Sequence, residues 1–272
     1  MDVPTHLHGR PLEHLATRVA ARGGGVDARL RAWWDRTPLW WIAVLFAIGS
    51  TCFLVAALAS QWASVTRPGI AVTFFVGSIF FTTAAYLQHW LSVRAVTGRT
   101  PLRGPGRERL RLAHPDTWPN AHVDALATLI QLVGTLLFNL NTYNAMDANL
   151  STMEANLRVW TPDMLGSACF LVASALAFAN GSRGWLAFRR RSRGWWINAV
   201  NLLGSIAFGA AAIASLIQPS TNEPVSAAIA NGATALGALG FLVGALLLLP
   251  DASPHPDVAA QADAVERRQP SG

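Results

Sequence analysis

Lysine is absent from this chain: all 21 basic side chains are arginine. Charged residues of both signs make up only 13% of the sequence, about half of the roughly 25% usual for soluble domains. The charges are also segregated, and long stretches carry none, which is the pattern of a chain whose solvent is partly lipid. Cysteine is scarce too. Cys52 and Cys169 both fall inside apolar runs, whereas a disulfide framework or a thiolate zinc site needs more cysteines, spaced differently and nearer water. These two are expected to act as small buried hydrophobes. No glycine-rich phosphate loop, nucleophile elbow or H-E-x-x-H pair occurs, so the expectation is a protein that is not an enzyme and has no cofactor.

Hydrophobic residues, by contrast, make up 52% of the chain. A helix needs about 20 apolar residues to cross the hydrocarbon core of a bilayer. The segments Leu39–Ser60, Gly69–Leu91, Ala125–Tyr143, Met164–Gly181, Trp195–Ile217 and Pro224–Leu249 qualify, and none contains Asp, Glu, Lys or Arg. The fourth is the shortest, but still spans with modest bilayer adjustment. Barrel strands alternate apolar and polar residues, and these runs do not.

The net charge of +6 invites a nucleic-acid partner, but the arginines sit in short loops between apolar spans, where they set orientation instead. Counted loop by loop from the amino terminus, arginine runs 6, 1, 6, 1, 5, 0, 2. The count alternates at every crossing. Arginine-rich loops stay cytoplasmic, so both termini are expected inside, in a cell inner membrane. Trp40, Trp41, Trp90, Trp195 and Trp196 fall at the cytoplasmic span ends and Trp62 and Trp160 near the outer ones, where amphipathic rings favour the interface.

Residues 1–38 form a cytoplasmic region in this reading, 39–250 the transmembrane domain and 251–272 a disordered tail rich in Pro, Ala and Asp. After the flexible Gly23-Gly24-Gly25, the stretch Val26–Arg36 suits a short interfacial helix with Leu30, Trp33 and Trp34 toward lipid. Ala57-Leu58-Ala59 resembles a signal-peptidase site. A signal peptide, however, has a short charged region and a roughly 7–15 residue apolar core. The first span is therefore expected to be an uncleaved anchor.

One small signature recurs in every span: Gly, a small residue, two variable positions, then Phe. The six pairs are Gly49 and Phe53, Gly77 and Phe81, Gly134 and Phe138, Gly166 and Phe170, Gly204 and Phe208, and Gly237 and Phe241. The first and fifth spans reinforce the repeat. Trp40–Ser60 aligns without a gap on Trp195–Ser215, with ten of 21 positions identical. Gly and Phe four apart share a helix face; the Gly admits a neighbouring backbone, the adjacent Ser can hydrogen-bond, and the Phe fills the volume beside the contact. The six pairs are thus expected to be packing positions.

The expected fold is all-α: a polytopic membrane protein with six transmembrane helices as three tandem hairpins, Leu39–Leu91, Ala125–Gly181 and Trp195–Leu249. Each hairpin would enter and leave on the same side, giving parallel repeats about a pseudo-threefold axis along the membrane normal. Gly240 and Gly244 add a G-x-x-x-G step, a hint of a further contact between subunits and hence of a homo-oligomer.

These paired helices resemble the YrhK-like membrane proteins, whose short hairpins carry such signatures. The resemblance is carried best by Trp160-Thr-Pro-Asp-Met-Leu-Gly-Ser-Ala-Cys-Phe-Leu-Val and Trp196-Ile-Asn-Ala-Val-Asn-Leu-Leu-Gly-Ser-Ile-Ala-Phe. It covers the helices, not the ends or long loops. The chain departs from that pattern in having three hairpins and Ala238 for the Ser of the last signature. The resemblance implies no enzyme activity and no ligand.

Polar residues in spans are the remaining pointers to function. His89, His122 and Asp124 offer two imidazoles and a carboxylate for a divalent metal or a proton relay, against the simpler reading of solvated interfacial side chains. Gln131, Asn198, Asn201 and Asn231 are interhelical glue or the lining of a polar path for a small solute or ion. Asn198 and Asn201, three apart, are expected on nearly one helix face. At the outer end, Asn139 and Asn141 are either placed to approach Asp163 in a small polar mouth or are simply solvated at the span ends. The arginine-rich face suits anionic lipid headgroups. The leading expectation is a non-catalytic protein that packs, scaffolds or contacts lipid and partner proteins.

Overall fold

A computed structural model describes residues 38–61, 66–97, 121–182 and 192–249. The expected interfacial helix at Val26–Arg36, Trp62 and the tail from Asp251 lie outside them, as do most loop arginines. The chain divides into a unit spanning Met1–Pro38 and a second spanning Leu39–Gly272; all that follows concerns the second, with Pro38 only as a helix end.

The described residues are helical apart from turns and one isolated bridge between Ile217 and Pro224. The helices are α1 (Pro38–Ala59), α2 (Arg67–Val96), α3 (Ala121–Asn144), the short α4 (Thr152–Ala155), α5 (Thr161–Ser182), α6 (Arg193–Ala214) and α7 (Ala227–Leu248). Six spans among them are long and apolar enough to cross a membrane. The helices carry little amphipathicity, because lipid-facing Leu, Ile and Val are no more apolar than the interior. Leu203, Ile213 and Leu236 are each about two-thirds exposed, as lipid-facing side chains are. The interior instead holds Ala, Gly, Ser, Thr and Phe.

Small residues let these helices touch. A Cβ added to Gly49 would lie 2.9 Å from the carbonyl oxygen of Gly77, and one added to Gly77 would lie 3.1 Å from that of Gly49. The same reciprocal fit joins Gly134 of α3 with Gly166 of α5, 3.1 Å each way, and Gly204 of α6 with Gly237 of α7, at 2.9 and 3.0 Å. Without a hydrophobic force to drive helices together inside lipid, such van der Waals contact holds them. Cys52 and Cys169 are half-buried rather than fully buried. Their Cβ atoms fill equivalent places, against Gly77 and Gly134.

The residue after each signature glycine is sealed inside: Ser50, Ser78, Thr135, Ser167, Ser205 and Ala238 are all at most 1% exposed. Buried hydroxyls need partners. Ser78 donates to Phe75 O (2.7 Å) and meets Thr142 of α3 (3.0 Å), while Ser205 donates to Asn201 O (2.9 Å) and meets Ser174 of α5 (2.7 Å). The six signature phenylalanines are no more than 5% exposed. Their rings meet across the middle of the bundle, with Phe208 5.7–6.4 Å from Phe53, Phe138, Phe170 and Phe241, in the range of favourable aromatic pairs. The aligned tryptophans also adopt one geometry, edge to face, at 4.9 Å for Trp40–Trp41 and 5.0 Å for Trp195–Trp196.

Two expectations need correction. The fourth span is not short: helix runs from Thr152 through Gly181, over 30 residues. Pro162 ought to break it, because it lacks the N–H that would bond Arg158 O and its ring crowds that carbonyl. A π-helical turn over Asn156–Trp160 absorbs the misfit, with Thr161 N–H bonding Asn156 O. The Arg158 carbonyl is satisfied instead by the Asn144 side-chain amide of α3 at 2.7 Å. Second, Gly240 and Gly244 are not left for a subunit contact. Gly240 abuts Val200 O (2.9 Å) and Gly204 Cα (3.0 Å), and Gly244 abuts the Asn201 side chain, all within the chain. Trp160 is half-buried. Its indole N–H donates to Ala212 O at 2.8 Å, one of the carbonyls left over at the end of α6.

Candidate functional site

The helix ends divide the polar groups into two sets, separated by the phenylalanine layer. At the arginine-rich end, neighbouring helices are joined by polar pairs. Gln131 of α3 donates to Gln88 of α2 (3.5 Å), and His89 Nδ1 meets Thr128 Oγ1 (3.1 Å). Asn180 of α5 donates to Asp124 of α3 (2.5 Å). Asn198 of α6 donates to Ala177 O of α5 (3.1 Å), beside Gly181. The guanidinium of Arg193, in the first turn of α6, bonds Leu247 O and Leu249 O at the end of α7, where a cation complements the helix dipole. Arg94 lies 3.9 Å over the Trp90 ring.

His89, His122 and Asp124 do not converge. His89 and Asp124 each engage a neutral partner on another helix, and His122 is exposed. No group of three or more His, Cys, Asp or Glu side chains among the described residues is placed to hold a metal. The amides do not share a face either. Asn198 points toward α5 and Asn201 toward Gly244 of α7, because three residues leave a rotation of about 60° between side chains. Asn231 is half-buried near the start of α7.

The opposite end holds a cavity of about 480 Å³. Its floor is the apolar layer itself, at Phe53, Phe138 and Phe208, and its wall carries Trp160, Asn141, Thr142, Asp163 and Ser215. Asp163, in the first turn of α5, accepts a hydrogen bond from Asn141 Nδ2 at 3.0 Å, which is the approach expected from the sequence. Asn139, the other expected partner, keeps its side-chain oxygen buried without a hydrogen bond. The Ser215 hydroxyl is a second polar neighbour of the carboxylate. Arg67 and Asp147 stand on the rim.

Two long-range clamps fix this end. Asn156, in the π turn, exchanges two hydrogen bonds with the Ile217 backbone, at 2.7 and 3.1 Å, as a strand neighbour would. Thr152 donates to Asn222 Oδ1 at 2.7 Å, and Asn222 takes the left-handed conformation (φ 57°) that Asn tolerates better than most residues. The sequence hid this cavity because its lining comes from all six spans and two loops. Its one legible signal was an Asp at the edge of an apolar run.

The fold and these groups define an all-helical, multi-pass membrane protein. No protein-family model, curated protein or solved structure matches the chain.

Proposed function

We propose that the chain is a non-catalytic membrane scaffold, built as three helical hairpins about a pseudo-threefold axis, with both termini cytoplasmic. In this reading the YrhK-like resemblance reflects a shared hairpin design, here present three times. The cytoplasmic arginines hold anionic lipid headgroups, and the bundle presents its apolar outer face to lipid, partner proteins or further copies of itself. The observation that carries the scaffold over a transporter is the layer of six phenylalanines. The cavity stops at that layer, and none of Gln131, Asn198, Asn201 or Asn231 lines it. Asn198, bonded to Ala177 O, and Gln131, bonded to Gln88, act as glue between adjacent helices.

The test is a double substitution, Asn198→Leu with Asn201→Leu, in reconstituted vesicles. Loss of the Asn198–Ala177 bond costs about 0.6 kcal/mol, typical of an interhelical hydrogen bond in lipid. The fold survives, and wild type and mutant give the same background flux of ions and small solutes. Wild-type flux that disappears in a folded double mutant would make the protein a transporter.

Orientation has its own experiment. Cysteines introduced at residues 64, 150 and 221 are expected to label from outside the cell, and those at 105, 188 and 260 only after permeabilisation. Protection at 150 would reverse or break the hairpin scheme.

A further inference from the structure

Among the described residues, no cationic side chain is bonded to Asp163. Its hydrogen-bond donor is the amide of Asn141, its other polar neighbour the Ser215 hydroxyl, and both are neutral. Around it the cavity is aromatic: Phe53, Phe74, Phe138, Trp160 and Phe208 all contribute to the lining. The charged lining residues are Arg67, Asp147 and Asp163, a formal balance of −1. A packing protein has no need of this combination. Filling the same space with Leu would supply contact without leaving a carboxylate at the edge of an apolar chamber.

We propose that this cavity is a binding site for a small organic monocation, a protonated amine on an aromatic or branched apolar body. The ammonium group would pair with Asp163, whose hydrogen-bonding neighbours among the described residues are neutral. Aromatic faces attract cations, and Trp160 is held in place by its bond to Ala212 O. The apolar body would rest on Phe53, Phe138 and Phe208. A volume of about 480 Å³ lies within the roughly 300–1,000 Å³ of small-molecule sites. Thr142 and Ser215 supply the few polar groups that fix orientation in such pockets. An anion would meet the carboxylate, and a neutral ligand would leave it unpaired.

The experiment uses the full chain in nanodiscs, which expose both faces, and isothermal titration with 2-phenylethylamine against its neutral analogue 2-phenylethanol. The amine is expected to bind saturably with one site per chain, at least tenfold more tightly than the alcohol. Asp163→Asn should abolish that tenfold preference while leaving the alcohol's weak binding unchanged. Ala71→Phe, at a half-buried lining position, should reduce binding of both by filling the chamber, and it serves if Asp163→Asn fails to fold. Equal affinity for amine and alcohol in the wild type, no saturable binding, or full amine binding in folded Ala71→Phe would each overturn the proposal. The scaffold reading would survive any of these results, because it rests on the phenylalanine layer and its own test is the flux measurement.

Discussion

Gly166→Leu is expected to unfold a large share of the protein under conditions where the wild type is intact, and Gly49→Leu and Gly204→Leu should do the same. A Cβ at Gly166 falls 3.1 Å from Gly134 O and closer still to the Phe138 ring, and at Gly204 it falls 2.9 Å from Gly237 O. Backbone cannot yield as a flexible side chain can, so the two helices must separate. Inserting even small groups into a packed core costs about 1–3 kcal/mol. A leucine between two backbones should cost at least the upper end, about 3 kcal/mol, because helices pushed apart also lose their neighbouring contacts. Gly209 supplies the control, since nothing lies within 4 Å of a Cβ placed there. Gly209→Ala should be neutral or stabilising by roughly 0.5–1 kcal/mol through helix propensity. Titration of folded protein with denaturing detergent in mixed micelles gives the comparison. If Gly166→Leu behaved like Gly209→Ala, the signature glycines would not be contact positions.

How these contacts were legible follows from their chemistry. A lipid-facing leucine and a buried one look alike in sequence, so hydrophobic pattern located the six spans but not their inner faces. The Gly-Ser-x-x-Phe signature did mark those faces, because only a glycine admits a backbone and only a repeated phenylalanine fills the same gap six times. Ser50, Ser78 and Ser205, all at 0% exposure, carry the same message beside it. Span ends were harder to read. Pro162 and Asp163 read as a boundary, whereas the helix continues through them by means of a π turn and an amide borrowed from Asn144. That solution depends on a residue 18 positions away in sequence, which no local pattern announces. Asn198 and Asn201 illustrate a finer failure: spacing put them near one face, but two neighbouring helices divide that face between them. The cavity was the least legible feature, visible beforehand only as Asn141 approaching Asp163.

Phe208→Ala carries the other large expected effect. The Phe208 ring is 3% exposed and touches four other signature rings, from α1, α3, α5 and α7. Removing it deletes buried surface and leaves a void that rigid neighbours cannot collapse into, at a cost of about 3–5 kcal/mol. Lipid cannot refill that void, because the position is shut off from the outer surface. Leu203→Ala offers the contrast: its side chain is 64% exposed, so acyl chains replace what is lost and stability should change by less than roughly 1 kcal/mol. Phe208→Leu should fall between, since it keeps most of the volume. The same ring is part of the cavity floor, which gives the substitution a second consequence. If the aromatic layer is the barrier, thinning it should let small solutes leak across vesicles that hold folded Phe208→Ala, while Leu203→Ala vesicles stay tight. A Phe208→Ala protein as stable and as tight as the wild type would remove the phenylalanine layer as both core and seal.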